Sequence, residues 1–497
     1  MPFARFRRAA APAALAFALV CGGCASTHGL APQERPTEPD SLAAARTLGG
    51  FSKAAFPRAD WWRVLGDPQL DALIDEALRG TPTLAAADAR LRSAIAQAGL
   101  ADSLRKPSLA VGAQYAGLRI PETIGPAPLG GSYQGVVLLT MNFKYDPDFW
   151  GVKRAKWQAA IGQARAAEVE AQAARLTLAS NVASAYVVLA QAHAAHDVAL
   201  AEKARASHLL DLSRQRVTAG LDSQLPVRQA ESAVAAAQQE AEAAQQHIDA
   251  ARNALAALLG KGPDRALSIA RPALLSAPPP EVPSVLPSEL LGHRPDVVAA
   301  RWRVEAAERG IASSKAAFYP TVDLSAMVGL ASGGLTDLFQ AGALLVQGGP
   351  AISLPIFDGG ALRNQLAKSD ADYDLAVASY NESLVTALRE VADALQSARA
   401  LDAQIAAARQ ASDAASAALD LAQSRYAAGL GTQLDVLAAQ QPLLQLEQQL
   451  AALRAQRLTA VIDLDRALGG GLQLERPASG SGSGSDSISD LAKAPTP

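Results

Sequence analysis

Two proline-free stretches, 152–219 and 361–428, constrain this chain more than anything else in it; the first contains only Gly162 as a helix-weakening residue and the second none. At 1.5 Å per residue, about 68 helical residues form a rod of roughly 100 Å, far longer than the helices of an ordinary globular domain. Each rod runs to a glycine, Gly220 or Gly429, suited to the left-handed residue that ends a helix. A returning helix of about 38 residues, roughly 57 Å, then follows in each case, so hairpins are predicted over 152–259 and 361–468. Pro226 falls in the first turn of its return helix, where proline is tolerated. Pro442 falls about three turns into the other and predicts a kink. The Ala, Leu and Gln content favours helix and lets neighbouring rods approach closely.

The two hairpins are copies of one unit. Arg216-Val217-Thr218-Ala219-Gly220-Leu221-Asp222-Ser223-Gln224-Leu225-Pro226-Val227 recurs as Arg425-Tyr426-Ala427-Ala428-Gly429-Leu430-Gly431-Thr432-Gln433-Leu434-Asp435-Val436. The shared pattern is R-x-x-A-G-L-x-x-Q-L-x-V, and such self-similarity at a fixed offset marks a repeat. Leu259-Gly260 returns as Leu468-Gly469, Asp148-Phe149-Trp150-Gly151 stands against Ile356-Phe357-Asp358-Gly359, and Lys106-Pro107 against Tyr319-Pro320. Shorter helices, about 81–105 and 293–318, precede the strands of each half. With the Pro- and Gly-rich connector 261–293, they place both chain ends at a belt partway along the rods, where Trp61 and Trp62 are expected to pack.

Between the helices lie two candidate strands per half, at about 107–118, 134–146, 321–331 and 346–356. Val137, Leu139, Met141, Phe143 and Tyr145 alternate with Leu138, Thr140, Asn142 and Lys144; Val322, Leu324, Ala326, Val328 and Leu330 alternate with Thr321, Asp323 and Ser325. About ten residues of period two suit a membrane barrel with one face to lipid and the other to water, although the edge of a soluble sheet gives the same pattern. In hydrocarbon an open sheet edge is untenable, so a chain with too few strands to close a barrel must share one with other copies. Two copies give about eight strands and three about twelve, and arithmetic alone does not choose.

Composition narrows the classes. A net charge of −3 with 19% charged residues leaves no basic footprint for nucleic acid. A hydrophobic content of 49% and a mean hydropathy of +0.08 argue against a disordered polymer. After residue 23 no run of about 18 apolar residues marks a spanning helix. The N-terminus reads as an export signal: Arg5, Arg7 and Arg8, then the apolar run from Ala9 to Val20, then small residues before Cys24. The Gly22-Gly23-Cys24 ending resembles a bacterial lipobox, with Cys24 acylated as the first mature residue, and Ala25 resembles the outer-membrane sorting type.

The lipobox, the duplicated halves, Arg294-Pro295-Asp296, Phe318-Tyr319-Pro320, Leu354-Pro355-Ile356-Phe357-Asp358-Gly359-Gly360 and the two R-x-x-A-G-L turns together resemble the TolC-like outer-membrane efflux protein family. Within it the chain is similar to the NodT/OprM-type lipoproteins that serve resistance-nodulation-division (RND) pumps, from about Trp61 to Gly470. The resemblance implies a mainly α fold with a membrane β-barrel portion: a homotrimer whose shared barrel continues into an α-helical periplasmic tunnel. It implies a periplasmic membrane-fusion adaptor and an inner-membrane RND transporter as partners, with outer-membrane lipid around the barrel. Arg216, Gly220, Leu221, Leu225 and Val227, and Arg425, Tyr426, Gly429, Leu430, Leu434, Asp435 and Val436, would form the tips that meet the adaptor and close the gate. Three copies of Asp435 would ring the aperture with negative charge, and Arg425 and Tyr426 would bond across protomers. The plainer readings are turns that only cap helices and a solvated tip carboxylate.

The domain reading is a signal peptide over 1–23, a lipidated linker over 24–60, a first repeat over 61–290, a second over 291–470 and a disordered tail over 471–497. There is no G-x-S-x-G, phosphate loop or paired His/Cys cluster, so neither an enzyme nor a cofactor is expected. His193 and His196 are a surface pair without further ligands. The function expected is a passive exit duct for small toxic compounds, with a duct for type I protein secretion and a lumen-free periplasmic strut as alternatives.

Overall fold

The structure, a computed structural model, describes residues 27–38, 41–42, 51–52, 58–119, 121, 123–124, 131–276, 286–287 and 293–471. The leader, Cys24 and the tail past 471 lie outside these. The first half contributes α1 (Pro68–Leu78), α2 (Pro82–Ser103), β1 (Ser108–Arg119), β2 (Tyr133–Tyr145), α3 (Val152–Thr218) and α4 (Gln224–Leu258). The second contributes α5 (Pro295–Ala316), β3 (Thr321–Ser332), β4 (Leu344–Ser353), α6 (Ala361–Ala427) and α7 (Gln433–Ala467). The duplication is exact in length: α3 and α6 have 67 residues each, α4 and α7 35 each. β4 stops at Ser353, short of 356, ahead of Pro355, which has no N–H to donate.

Both rods start on a carboxylate. Asp148 accepts from the N–H groups of Lys153 (3.0 Å) and Arg154 (2.7 Å), and Asp358 from those of Gly360 (3.0 Å) and Leu362 (2.7 Å). Each satisfies helix-end donors that have no partner within the helix and opposes the positive end of the helix dipole. The Leu362 N–H, foremost, holds the Asp358 carboxyl below its ordinary range. Nearby, Trp150 stacks on Tyr319 at 4.9 Å and donates to the Pro320 carbonyl at 2.6 Å, fastening the strand–helix junctions of the two halves together.

β1 to β4 form one antiparallel meander in chain order, leaving β1 and β4 as edges. The register sorts the side chains. Leu109 and Val111 lie opposite Phe143 and Met141; Leu139 and Met141 lie opposite Leu330 and Val328; these face Leu344 and Val346 on β4. One face is therefore continuous in aliphatic and aromatic groups, and they are exposed: Leu109, Val111, Tyr115, Val346 and Ile352 are all more than half accessible. The other face is mixed: Gly112, Gln114, Thr140, Asn142, Asp323, Ser325, Gln347 and Gly349 share it with Val136, Leu138, Met327 and Leu345. Strands of 10 to 13 residues match the about 9–11 tilted residues that cross a bilayer.

Below the sheet, α2, α3, α5 and α6 stand side by side as a wall, and α4 and α7 complete the hairpins. The main core lies at the belt, where Trp61, Trp62, Leu70, Leu73 and Ile74 pack against Leu178, Val182 and Tyr186 of α3, Ile248 and Leu255 of α4, and Leu458 and Ile462 of α7. Asp67 ties the belt together: it caps α1 through Gln69 N and Leu70 N and accepts from the Tyr186 hydroxyl at 3.0 Å and from Ala273 N at 3.2 Å. In the second half Arg294, almost fully buried, bonds Asp296 in bidentate fashion (3.0 and 2.6 Å), Glu390 of α6 (2.8 Å) and the Ala467 carbonyl of α7 (3.1 Å).

The described N-terminal residues run along one face of α6. Arg363 donates to the His28 carbonyl, Asp374 accepts from the N–H groups of Gln33 and Glu34 (both 2.9 Å), and Asn381 brackets Thr37 N (2.8 Å) and the Arg35 carbonyl (3.2 Å).

Two outcomes follow for stability. Arg294→Met strips one rod junction of its shared cation and is expected to cost about 3 kcal/mol, read as a lowered melting temperature of the purified protein. Burial pushes the Asp465 carboxyl up to about 7. The folded state therefore holds that proton more tightly than the unfolded chain, whose carboxyl titrates near about 4, and stability falls as pH rises between those values. Melting from pH 5 to pH 8 is expected to show that decline, and Asp465→Asn to flatten it.

Candidate functional site: the hairpin tips

The turns after α3 and α6 share one backbone solution. Gly220 and Gly429 adopt φ of 73° and 78°, and the N–H groups of Leu221 and Leu430 return to the carbonyls of Arg216 and Arg425 at 2.9 and 2.8 Å. Glycine takes this left-handed conformation without the Cβ clash that other residues meet, which is why the A-G-L triplet recurs. Ser223 and Thr432 then cap α4 and α7.

The side chains are not symmetric. Arg216 of the first tip reaches under the second: its Nη1 donates to the Tyr426 carbonyl at 2.8 Å and its guanidinium lies 4.7 Å from the Tyr426 ring centre. Its Nε donates to Asp222 at 2.6 Å, and the Tyr426 hydroxyl reaches the same carboxylate oxygen at 3.3 Å. Ser213 Oγ lies 3.4 Å from that hydroxyl, and Gln433 Nε2 donates to the Pro226 carbonyl at 3.0 Å. Charge, aromatic face and backbone together lock one hairpin to the other. Asp222, foremost through this hydrogen bond, raises the Arg216 guanidinium above its already high ordinary value.

Within this chain Tyr426 is 1% exposed and is engaged by Arg216 and Asp222. Two expectations need correcting. Val227 and Val436, expected at the contact surface, point inward. Val227 packs with Leu210 and Ala230, and Val436 with Leu209, Leu419, Tyr426 and Leu443, because they fall on the core side of the first helical turn. Leu221, Leu225, Leu430 and Leu434 do stand out, each 63–73% exposed, as an apolar crown. Arg425 donates to the Leu430 carbonyl at 3.3 Å. Asp435 forms a capping box with Thr432, accepting from its N–H (2.7 Å) and hydroxyl (2.8 Å). These bonds, the N–H first, hold its carboxyl below the ordinary range, so it is charged at neutral pH.

Asp222, Ser213 and Gln433 are lock residues that sequence reasoning missed. One signal was available: the repeats differ at Asp222, where the second has Gly431, so a lone carboxylate beside a shared arginine marks the asymmetric half.

Set beside known proteins, this geometry is familiar. The family model for outer membrane efflux proteins matches residues 73–261 and 286–470. The chain is 31% identical to the multidrug resistance outer membrane protein MdtP of Escherichia coli K12, over 91% of this chain and 94% of that one. It is 34% identical to the outer membrane protein OprJ of Pseudomonas aeruginosa, over 92% and 95%. The crystal structure of the outer membrane protein VceC of Vibrio cholerae superposes with a TM-score of 0.78 at 40% identity, covering 84% of this chain and 100% of VceC. A repeated hairpin, a strand meander with one apolar face and a match across both halves lead to one conclusion: the chain belongs to the outer membrane efflux protein family.

Proposed function

We propose that three copies of this chain form a lipid-anchored exit duct for small toxic organic compounds, closed at the hairpin tips and served by a periplasmic adaptor and an inner-membrane RND pump. The observation that carries this reading is the sheet: one continuous apolar face, a second face of mixed character that holds its polar groups, and two unpaired edges, which suit a strand group completed by its neighbours in a membrane. The wall supports a wet interior. Arg363, Asp374 and Asn381 hold the N-terminal segment on one face of α6. The opposite face, by helical spacing, carries Asp372, Ser379, Ser383, Glu390 and Ser397, which line grooves of about 750 and 630 Å³. A lumen-free strut would bury apolar groups there instead.

The path of residues 27–38 supports the anchor: His28, four residues after Cys24 in the sequence, sits beside Arg363 near the start of α6. The exposed leucines of the tips suit the apolar seam of an adaptor's helical hairpin. Three Asp435 carboxylates around the axis supply a cation-favouring ring beside them. Small-molecule cargo draws on relatives named for multidrug resistance, for pyoverdine export and, at 39% identity over 72% of this chain, for fusaric acid resistance.

Purified protein in planar bilayers is expected to conduct poorly, and Arg216→Ala, which breaks the lock, to conduct more. Asp435→Asn is expected to shift the reversal potential in a salt gradient away from cation preference; an unchanged value removes the charge ring. Cys24→Ser is expected to abolish palmitate labelling in growing cells. A detergent-free, stable monomer would overturn the duct.

A further inference from the structure

The repeats differ at one place that the lock does not explain. α4 has its proline, Pro226, in the first turn; α7 carries Pro442 in its interior, where α4 has alanine. An interior proline lacks the N–H that would bond the Ala438 carbonyl and crowds the preceding turn, so it is where a helix bends. Neighbouring α3 grips α7 on both sides of this residue. Arg205 donates to both oxygens of Glu447 above it (3.2 and 2.7 Å), and Gln440 below it donates to Glu202. Arg205 also donates to Glu202 at 3.0 Å, so one cluster spans the proline. The cluster is half-buried and polar, and the Gln440 Oε1 is buried without a hydrogen-bond partner, so the grip is not a fully satisfied permanent contact. Beside Pro442, Leu443 packs on Leu419 of α6 and Leu209 of α3, an aliphatic contact without hydrogen bonds that leaves the polar cluster to fix the angle.

We propose that Pro442 is the hinge about which the tip of the second hairpin swings, and that Glu202 and Arg205 are positioning residues that set its resting angle. This rests on the duct reading and adds where its tips move. The part of α7 below Pro442 is about nine residues, roughly 14 Å, and a change of about 20° there displaces the tip by about 5 Å. The first hairpin has no such joint, so the second moves against it once Arg216 lets go.

Two measurements on the full-length protein test this. With spin labels on Leu221→Cys and Leu434→Cys, Glu447→Gln, which keeps the shape and removes the charge pair, is expected to lengthen and broaden the distance distribution. Pro442→Ala is expected to narrow it. In planar bilayers, adding Pro442→Ala to Arg216→Ala is expected to reduce open probability by about fivefold or more, the effect of roughly one contact. If Glu447→Gln leaves the distances unchanged, or Arg216→Ala carries current and the double variant carries just as much, the hinge is overturned. If the distances respond while no variant carries current, the hinge stands and the duct reading falls. Circular dichroism that matches the parent shows that each variant has folded.

Discussion

The unpaired edges of a four-stranded sheet govern everything else in this molecule. β1 and β4 each present a row of N–H and C=O groups with no partner, beside a face of exposed Leu, Val, Tyr and Ile. Water tolerates the first and penalises the second; hydrocarbon reverses the preference. Neither solvent satisfies a lone protomer. Neighbouring copies that continue the meander satisfy both demands at once, pairing the edges and turning the apolar face to lipid. In the duct proposed above, copies assemble for this reason, and the rods below the sheet follow the same ring.

That ring poses a second problem, which is register. Rods of 67 residues packed largely through alanine have smooth surfaces, and smooth surfaces slide. The chain answers with buried or half-buried arginines at intervals: Arg294 at the belt, Arg205 midway down the coils and Arg216 at the tips. Each makes charge-assisted bonds to more than one helix or hairpin, which fixes position along the axis as aliphatic contact does not. Arg294 is almost wholly buried with three partners, whereas the Arg216 lock lies where two short turns meet with no further structure beyond them.

Much of this was legible in the sequence. Helix lengths followed from the absence of proline and the turns from A-G-L, because these are local backbone rules that act over a few residues; the carboxylates of Asp148 and Asp358 that start the rods emerged only in the structure. The period-two strands were visible for the same reason. At the tips, the motif named Arg216, Tyr426 and four leucines and also set Val227 and Val436 at the contact surface, where the structure turns them inward. Inward and outward positions alternate within a single turn, and a motif does not say which side the second hairpin occupies.

The amino-acid order by itself determined a duplicated pair of long hairpins joined through strands with one oily side, since periodicity and punctuation are properties of neighbouring residues. Only the tertiary structure decided which charges meet. Asp222 and Tyr426 are 204 positions apart, and Arg205 and Glu447 are 242 apart. Such pairs exist only after two independent hairpins dock, and the angle at which they dock is set by packing over the whole wall, which no local pattern records.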